Sequence, residues 1–167
     1  MQKPKLRIMG IRGIPAAHGG FETFAEYLAT YLVDQNWDVT VYCQEFGIGE
    51  TVEELWSGIR LVKIFERKSG ALGTMRFDWN CIRHAAREDG LVLTLGYNTA
   101  LFNLWFRIKG IKNIINMDGL EWKRSKWSFP ARVWFYINDW AGSLIGNHLV
   151  ADHPEIAKHL KTRRAKK

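Results

Sequence analysis

Residues 6–43, LRIMGIRGIPAAHGGFETFAEYLATYLVDQNWDVTVYC, decide the fold. Leu6–Met9 and Val39–Cys43 are short apolar runs with strand character. Between them lies a loop punctuated by Gly10, Gly13, Gly19 and Gly20, then an amphipathic stretch from Phe21 to about Gln35 with helical spacing. Strand, glycine loop, helix and strand in that order make a βαβ unit. Gly19 and Gly20 leave backbone N–H groups unobstructed where the helix begins, and the partial positive charge there favours a phosphate or another anion. The spacing is neither G-x-G-x-x-G nor G-x-x-x-x-G-K-[ST], so neither dinucleotide nor P-loop chemistry is signalled.

The alternation continues downstream. Gln44–Gly58 reads as a polar loop with at most a short helical turn, and Ile59–Phe65 as a third strand. A helix is expected over Thr74–Glu88, with Phe77, Cys81, Ile82 and Ala85 at helical spacing. Leu91–Leu95 is a continuous apolar run, as a strand covered on both faces requires. A helix over Thr99–Lys109, a strand over Asn113–Met117 and a long aromatic helix from Ser128 to Ile145 follow. His148–Ala151 is a last strand and Pro154–Lys161 a terminal helix. The fold class is therefore α/β, a Rossmann-like and mainly parallel doubly wound sheet. Ligands of such sheets sit outside the carboxyl ends of the strands, so the Gly10–Gly20, Gly96–Asn98 and Asp118–Glu121 segments are expected at one edge.

Length and composition narrow the class further. The 167 residues, 47% hydrophobic, suit one domain with a full core. Two scattered cysteines, Cys43 and Cys81, make neither a disulfide framework nor a zinc site and suit a reducing cytoplasm. No signal-peptide pattern precedes the first strand, and no apolar run is long enough to span a membrane. The net charge of +7 is unevenly placed. Residues 1–100 are near neutral, with 11 basic and 12 acidic side chains, whereas Leu101–Trp134 has seven basic and two acidic. Interleaved with Trp105, Phe106, Trp122, Trp127 and Phe129, that block suits a surface meeting anionic lipid headgroups. It also suits an ordinary core with solvated charges around it. No nucleic-acid motif accompanies it.

Three motifs carry a resemblance. Gly10-x-x-Gly13-Ile14-Pro15-x-x-x-Gly19-Gly20-Phe21-Glu22-Thr23 resembles the start of glycosyltransferase family 4 enzymes. Ile115-Asn116-Met117-Asp118-Gly119-Leu120-Glu121-Trp122-Lys123-Arg124, with Lys126-Trp127, is similar to a signature of the rhamnosyltransferase-like branch of bacterial surface polysaccharide biosynthesis. Val150-Ala151-Asp152 resembles the strand leading to that family's next helix. The resemblance implies a GT-B enzyme, two facing Rossmann-like domains with the nucleotide-sugar held mostly by the C-terminal one. Residues 1–167 then correspond to the acceptor-side domain, with the donor-binding domain absent and the chain alone inactive. The implied partners are a nucleotide-sugar and a lipid-linked or oligosaccharide acceptor. The implied location is cytoplasmic, peripheral on the inner face of the cell membrane. Enzymes of this family are retaining.

Each candidate residue has a functional and a plainer reading. Asp118 follows a strand and precedes a glycine; it orients or deprotonates an acceptor hydroxyl, or it caps a turn. Gly19 and Gly20 take the donor phosphates, or merely permit a turn. His18, Glu22, Tyr97, Asn98, Glu121 and Trp122 are acceptor-binding candidates, although an acid such as Glu22 in a first helical turn also complements the helix dipole. Lys123, Arg124, Lys126 and Trp127 are candidates for a membrane surface or a lipid pyrophosphate. No Asp-x-Asp occurs, so no metal or other cofactor is expected. Two alternatives stay open: a sugar-nucleotide epimerase of GT-B shape, and a non-catalytic membrane-associating module.

Overall fold

The computed structural model describes residues 3–17 and 19–164, so His18 lies outside the described residues. Seven strands form one sheet in the order β3-β4-β2-β1-β5-β6-β7. They are β1 (Lys5–Met9), β2 (Asp38–Phe46), β3 (Val52–Trp56), β4 (Ile59–Glu66), β5 (Leu91–Leu95), β6 (Asn113–Asn116) and β7 (His148–Val150). The helices are α1 (Gly20–Asp34), α2 (Gly70–Ala85), α3 (Leu104–Ile108), α4 (Phe129–Ile145) and α5 (Pro154–Arg163). The chain divides into two compact units, Met1–Leu93 and Thr94–Lys167.

In the first unit β1 pairs parallel with β2, and β2 parallel with β4. β3 pairs antiparallel with β4, where a polar loop was expected. This strand escapes the alternation rule because it is an edge: Val52, Glu53, Glu54 and Leu55 are all exposed. Its carboxylates take ion pairs along the sheet surface instead, Glu54 to Lys63 at 2.8 Å and Glu53 to Arg60 at 3.6 Å. The hairpin turns on Ser57 and Gly58, both at positive φ (50° and 80°), as a tight right-twisted hairpin requires. Ile8, Val39, Val41, Tyr42, Leu61, Val62 and Cys81 are fully or almost fully buried in this unit. Cys43 and Cys81 are free and buried.

A buried cation organises the same unit. Arg7, 2% exposed on β1, donates Nη1 to the carbonyls of Ala85 and Glu88 and Nη2 to the carbonyl of Gly90 at 2.9 Å. The last turn of a helix leaves carbonyls without intrahelical partners, and it carries partial negative charge. The guanidinium therefore closes the end of α2 where the chain turns back toward β5. Burial lowers the Arg7 pKa, with the Tyr42 and Glu88 charges opposing.

In the second unit β6 pairs parallel with β7. The expected helix over Thr99–Lys109 is a 3-10 turn, Ala100–Asn103, followed by the short α3. Pro130 sits in the first turn of α4, as read from the sequence, and Ser128 is its N-cap rather than its first helical residue. Gly142 lets α4 approach closely, because a Cβ there would lie 3.0 Å from Met117 Sδ and 3.2 Å from Ala100 Cβ. Asp139 on α4, 1% exposed, accepts His159 Nε2 on both oxygens at 3.0 Å and Arg163 Nε at 2.9 Å. A buried carboxylate is tolerated only with such partners, and these two fasten α5 to α4.

Replacing Arg7 by Met should cost about 3 kcal/mol, because three carbonyls lose a charged donor inside a packed unit. The expected fall in melting temperature is roughly 6–12 °C for a chain of this size. Arg7→Lys should recover only part of it, since an ammonium cannot reproduce the planar fork. Thermal denaturation of the three proteins followed by circular dichroism is the check, and equal melting temperatures would rule out the cap.

Candidate functional site

Asp118 is two residues beyond β6, in the segment that joins it to α4. Its Oδ1 is buried with no hydrogen-bond partner among the described residues. Burial pushes the carboxyl up to about 7, the charges of Glu121 and Asp152 add to the rise, and Arg124 opposes it. A carboxyl poised near neutrality can accept or return a proton at working pH. Gly119 follows at φ 67°, a left-handed conformation that turns the chain immediately after the acid.

The turn is held from β5. Tyr97, just past that strand and 0% exposed, accepts the Glu121 N–H on its hydroxyl at 2.7 Å. Two of the three expected loops, Gly96–Asn98 and Asp118–Glu121, are thereby brought together. Tyr97 was expected to bind an acceptor; its complete burial precludes that, and the structure makes it a strut for the Asp118 turn. Burial raises its phenol pKa. Asn98 is exposed, and its carbonyl accepts Trp134 Nε1 at 2.8 Å.

Glu121 has a second set of partners that the sequence does not announce. Arg124 Nη1 and Trp127 Nε1 donate to its two oxygens, the latter at 2.6 Å, and Lys126 Nζ stands 3.8 Å away. The Lys126 ammonium lies 4.7 Å from the Trp127 ring centre. Arg124, Lys126 and Trp127 are thus gathered around one carboxylate on an exposed hook, and part of the basic charge is balanced locally. Lys123 is exposed over the Trp122 ring at 5.1 Å.

Trp122 faces inward instead of presenting a platform for a sugar. Its ring meets Tyr136 edge-on at 5.2 Å and His159 at 6.2 Å, and the Arg163 guanidinium lies 5.9 Å from it. Half-buried, it packs among α4 and α5. Its Nε1 is nevertheless buried without a partner among the described residues, a second unsatisfied group on the Asp118 segment. The Asp139–His159–Arg163 cluster beneath it was not identified from sequence. An acid in one helix and a His-x-x-x-Arg spacing in the next is the signal that was there.

In the first unit, the glycine loop is folded back by two acids of α1. Glu22, 8% exposed, accepts the Arg12 N–H at 3.2 Å, and Glu26 accepts the Ala16 N–H at 2.5 Å. Glu22, expected to bind an acceptor, commits one oxygen to the loop backbone. Gly13 is needed here, at φ 138° with a Cβ position 2.9 Å from Cys43 Sγ. Gly19 is the N-cap of α1 in an extended conformation and supplies no side-chain cap. A Cβ on Gly20 would meet nothing within 4 Å. A Cβ on Gly19, by contrast, would lie 3.0 Å from Glu22 Oε2. The first-turn amides of a helix have no intrahelical partners and suit an anion. Beside the loop, a cavity of about 320 Å³ is lined by Arg12, Gln44, Phe46, Lys68, Ser69, Gly70 and Thr74, at the carboxyl ends of β2 and β4.

No curated protein matches the chain. A solved structure of "Trehalose-6-phosphate from E. coli bound with UDP-2-fluoro glucose" is similar in fold, with TM-score 0.53 and 9% identity. The match covers 95% of this chain and 42% of that one, so the chain spans less than half of its length. At that identity the likeness shows the fold alone, a Rossmann-like half of a GT-B architecture. Residues 3–167 match the family model described as "Domain of unknown function (DUF1972)", and the chain belongs to that family.

Proposed function

We propose that this chain is the acceptor-side half of a glycosyltransferase, which moves a sugar from a nucleotide-sugar to a hydroxyl acceptor. Asp118 carries the reading: a partly buried carboxyl with one unpartnered oxygen, poised at about 7, on a turn fixed by Tyr97. Such a group orients the acceptor hydroxyl in its ionised form and accepts that hydroxyl's proton as the bond to the sugar forms and the sugar's bond to the donor phosphate breaks, the nucleotide leaving with the bonding pair. Gly19 and Gly20 offer amides to the donor phosphates, and Arg12 and Lys68 line the neighbouring cavity. The GT-B likeness supports the assignment at the level of fold. The sequence resemblance makes rhamnose the sugar to test first, and a lipid-linked or oligosaccharide acceptor of surface polysaccharide the acceptor class.

A membrane partner fits the same reading. Among the described residues no helix is long and apolar enough to cross a bilayer. Lys123, Arg124, Lys126 and Trp127 are exposed, and Phe129, 77% exposed, follows directly at the start of α4. Cations beside exposed aromatic surface suit peripheral attachment to anionic lipid, in a protein peripheral on the cytoplasmic face.

Three outcomes follow. In a protein that joins this chain to a donor-binding half, Asp118→Asn should lower transfer about 100-fold while leaving the fold intact. The wild-type rate should rise with pH through about 7, where the Asp118 carboxyl ionises, and the variant should lose that step. The stability sign is opposite. The folded pKa is raised, so wild-type stability declines as pH rises from about 4 to about 7, and the variant gains relative to it over that window. Near-normal turnover or an unchanged pH profile in Asp118→Asn would sink the assignment.

Residues 1–167 alone should bind a nucleotide-sugar weakly and turn none over, which calorimetry and product analysis check; tight binding would contradict the division of labour. In flotation with anionic vesicles, Lys123→Ala, Arg124→Ala and Lys126→Ala together should weaken association on the order of 100-fold, at about 1 kcal/mol per charge. Unchanged flotation would leave the hook an ordinary solvated surface.

A further inference from the structure

A second cavity in the first unit, of about 360 Å³, is lined by residues from three elements. Asn80, Arg83 and His84 come from the last two turns of α2, and Arg87 from the turn that closes it. Ile64 and Phe65 of β4 make an apolar wall, and Gly49–Thr51 form the rim. None of these residues belongs to the glycine loop or to the Asp118 segment.

Several cations of the unit are held by acids. Arg60 is paired with Glu53 and Glu88, Lys63 with Glu45 and Glu54, and Arg76 with Glu66. Arg83 and Arg87 are exposed, and neither side chain makes a hydrogen bond or ion pair among the described residues. Both line the same space, so their like charges oppose each other until something negative lies between them. A cation in the last turn of α2 suits the helix dipole, but the dipole does not require two of them to share one concavity. Glu50 contributes one negative charge against two guanidiniums, so the cavity remains cationic.

The remaining walls fit a ligand larger than an inorganic ion. His84 is fixed by Tyr42, whose hydroxyl lies 3.0 Å from Nδ1, and burial lowers its pKa, so the ring presents a neutral surface near pH 7. Gly49 lies against the Phe65 ring; a Cβ there would come within 3.0 Å of Phe65 Cδ2. The backbone rim and the ring therefore close one end without a side chain between them. Planar guanidinium forks match phosphate oxygens in pairs, and the volume matches a small phosphate ester.

We infer that the cavity between α2, β4 and the Gly49–Thr51 rim binds a phosphate-bearing small molecule, with Arg83 and Arg87 holding the phosphate and Phe65 facing its uncharged part. The test is a titration of the ¹⁵N-labelled chain with inorganic pyrophosphate at low salt, followed by amide and guanidinium resonances. The expected result is saturable shifts at Gly49–Thr51 and at the Arg83 and Arg87 guanidiniums. The double variant Arg83→Gln, Arg87→Gln should weaken binding at least tenfold, with a melting temperature near wild type because both side chains are exposed. Each single variant should weaken it several-fold, should the double prove unstable. Glu50→Gln should tighten binding several-fold by removing the one acid among the lining residues. Shifts confined to Arg12, Lys68 and Ser69, non-saturating shifts, or affinity untouched by the arginine changes would each overturn the site.

Discussion

The guanidinium of Arg7 is the constraint on which the first unit rests. Four of the five residues of β1, Leu6–Met9, are buried. A cation in that position is tolerable only because three carbonyls at and beyond the end of α2 surround it. The arrangement solves two problems together: a buried charge finds oxygen, and a helix end finds donors. It also fixes where α2 stops, and hence where Arg87, Glu88 and the turn into β5 lie. The Arg60–Glu88 pair and the Tyr42–His84 contact extend the same polar seam along one side of the sheet.

The second unit repeats the logic with the signs exchanged. Asp139 is the buried charge, His159 and Arg163 are the donors, and α5 is the element fastened. Arg163 also lies 4.2 Å from the Trp140 ring centre and 5.2 Å from that of Tyr136, so one guanidinium serves an ion pair and an aromatic cluster. Trp122 is drawn into that cluster, which anchors the downstream side of the Asp118 turn, while Tyr97 anchors the backbone at Glu121. Burial of the carboxyl in this turn, with the charges of Glu121 and Asp152 nearby, keeps the Asp118 proton affinity high.

The parts of the fold legible in the sequence are those where one periodicity dominates. Leu91–Leu95 is a strand because every position is apolar, and Phe129–Ile145 a helix because Ser128 and Pro130 mark its start. β3 was illegible because an exposed edge strand carries charges whose partners, Arg60 and Lys63, lie on the neighbouring strand. The helix expected over Thr99–Lys109 broke into a 3-10 turn and α3 where Leu101 N–H bonds Asn138 Oδ1, a contact no local window contains. At the candidate site the same division holds. Asp118 could be singled out as a candidate because its position after a strand and before a glycine is local information. The roles of Tyr97, Glu22 and Trp122 depend on what lies opposite them, and each proved to support a loop.

The basic block shows how little composition alone decides. Seven cations in Leu101–Trp134 read as one charged surface. In the structure they are divided. Arg107 donates to the Ile145 carbonyl, Arg132 to the Trp122 carbonyl, and Arg124 and Lys126 share Glu121. Lys109 rests on Trp105 and Lys123 on Trp122. Several of these charges therefore help the chain fold while remaining near water. An exposed pair of this kind contributes little to stability, so its cation is released at small cost when a stronger anion arrives. The hook around Glu121 is such an arrangement: a single carboxylate holds two cations in place beside water, so their positions are set by one exposed-side contact rather than by the core.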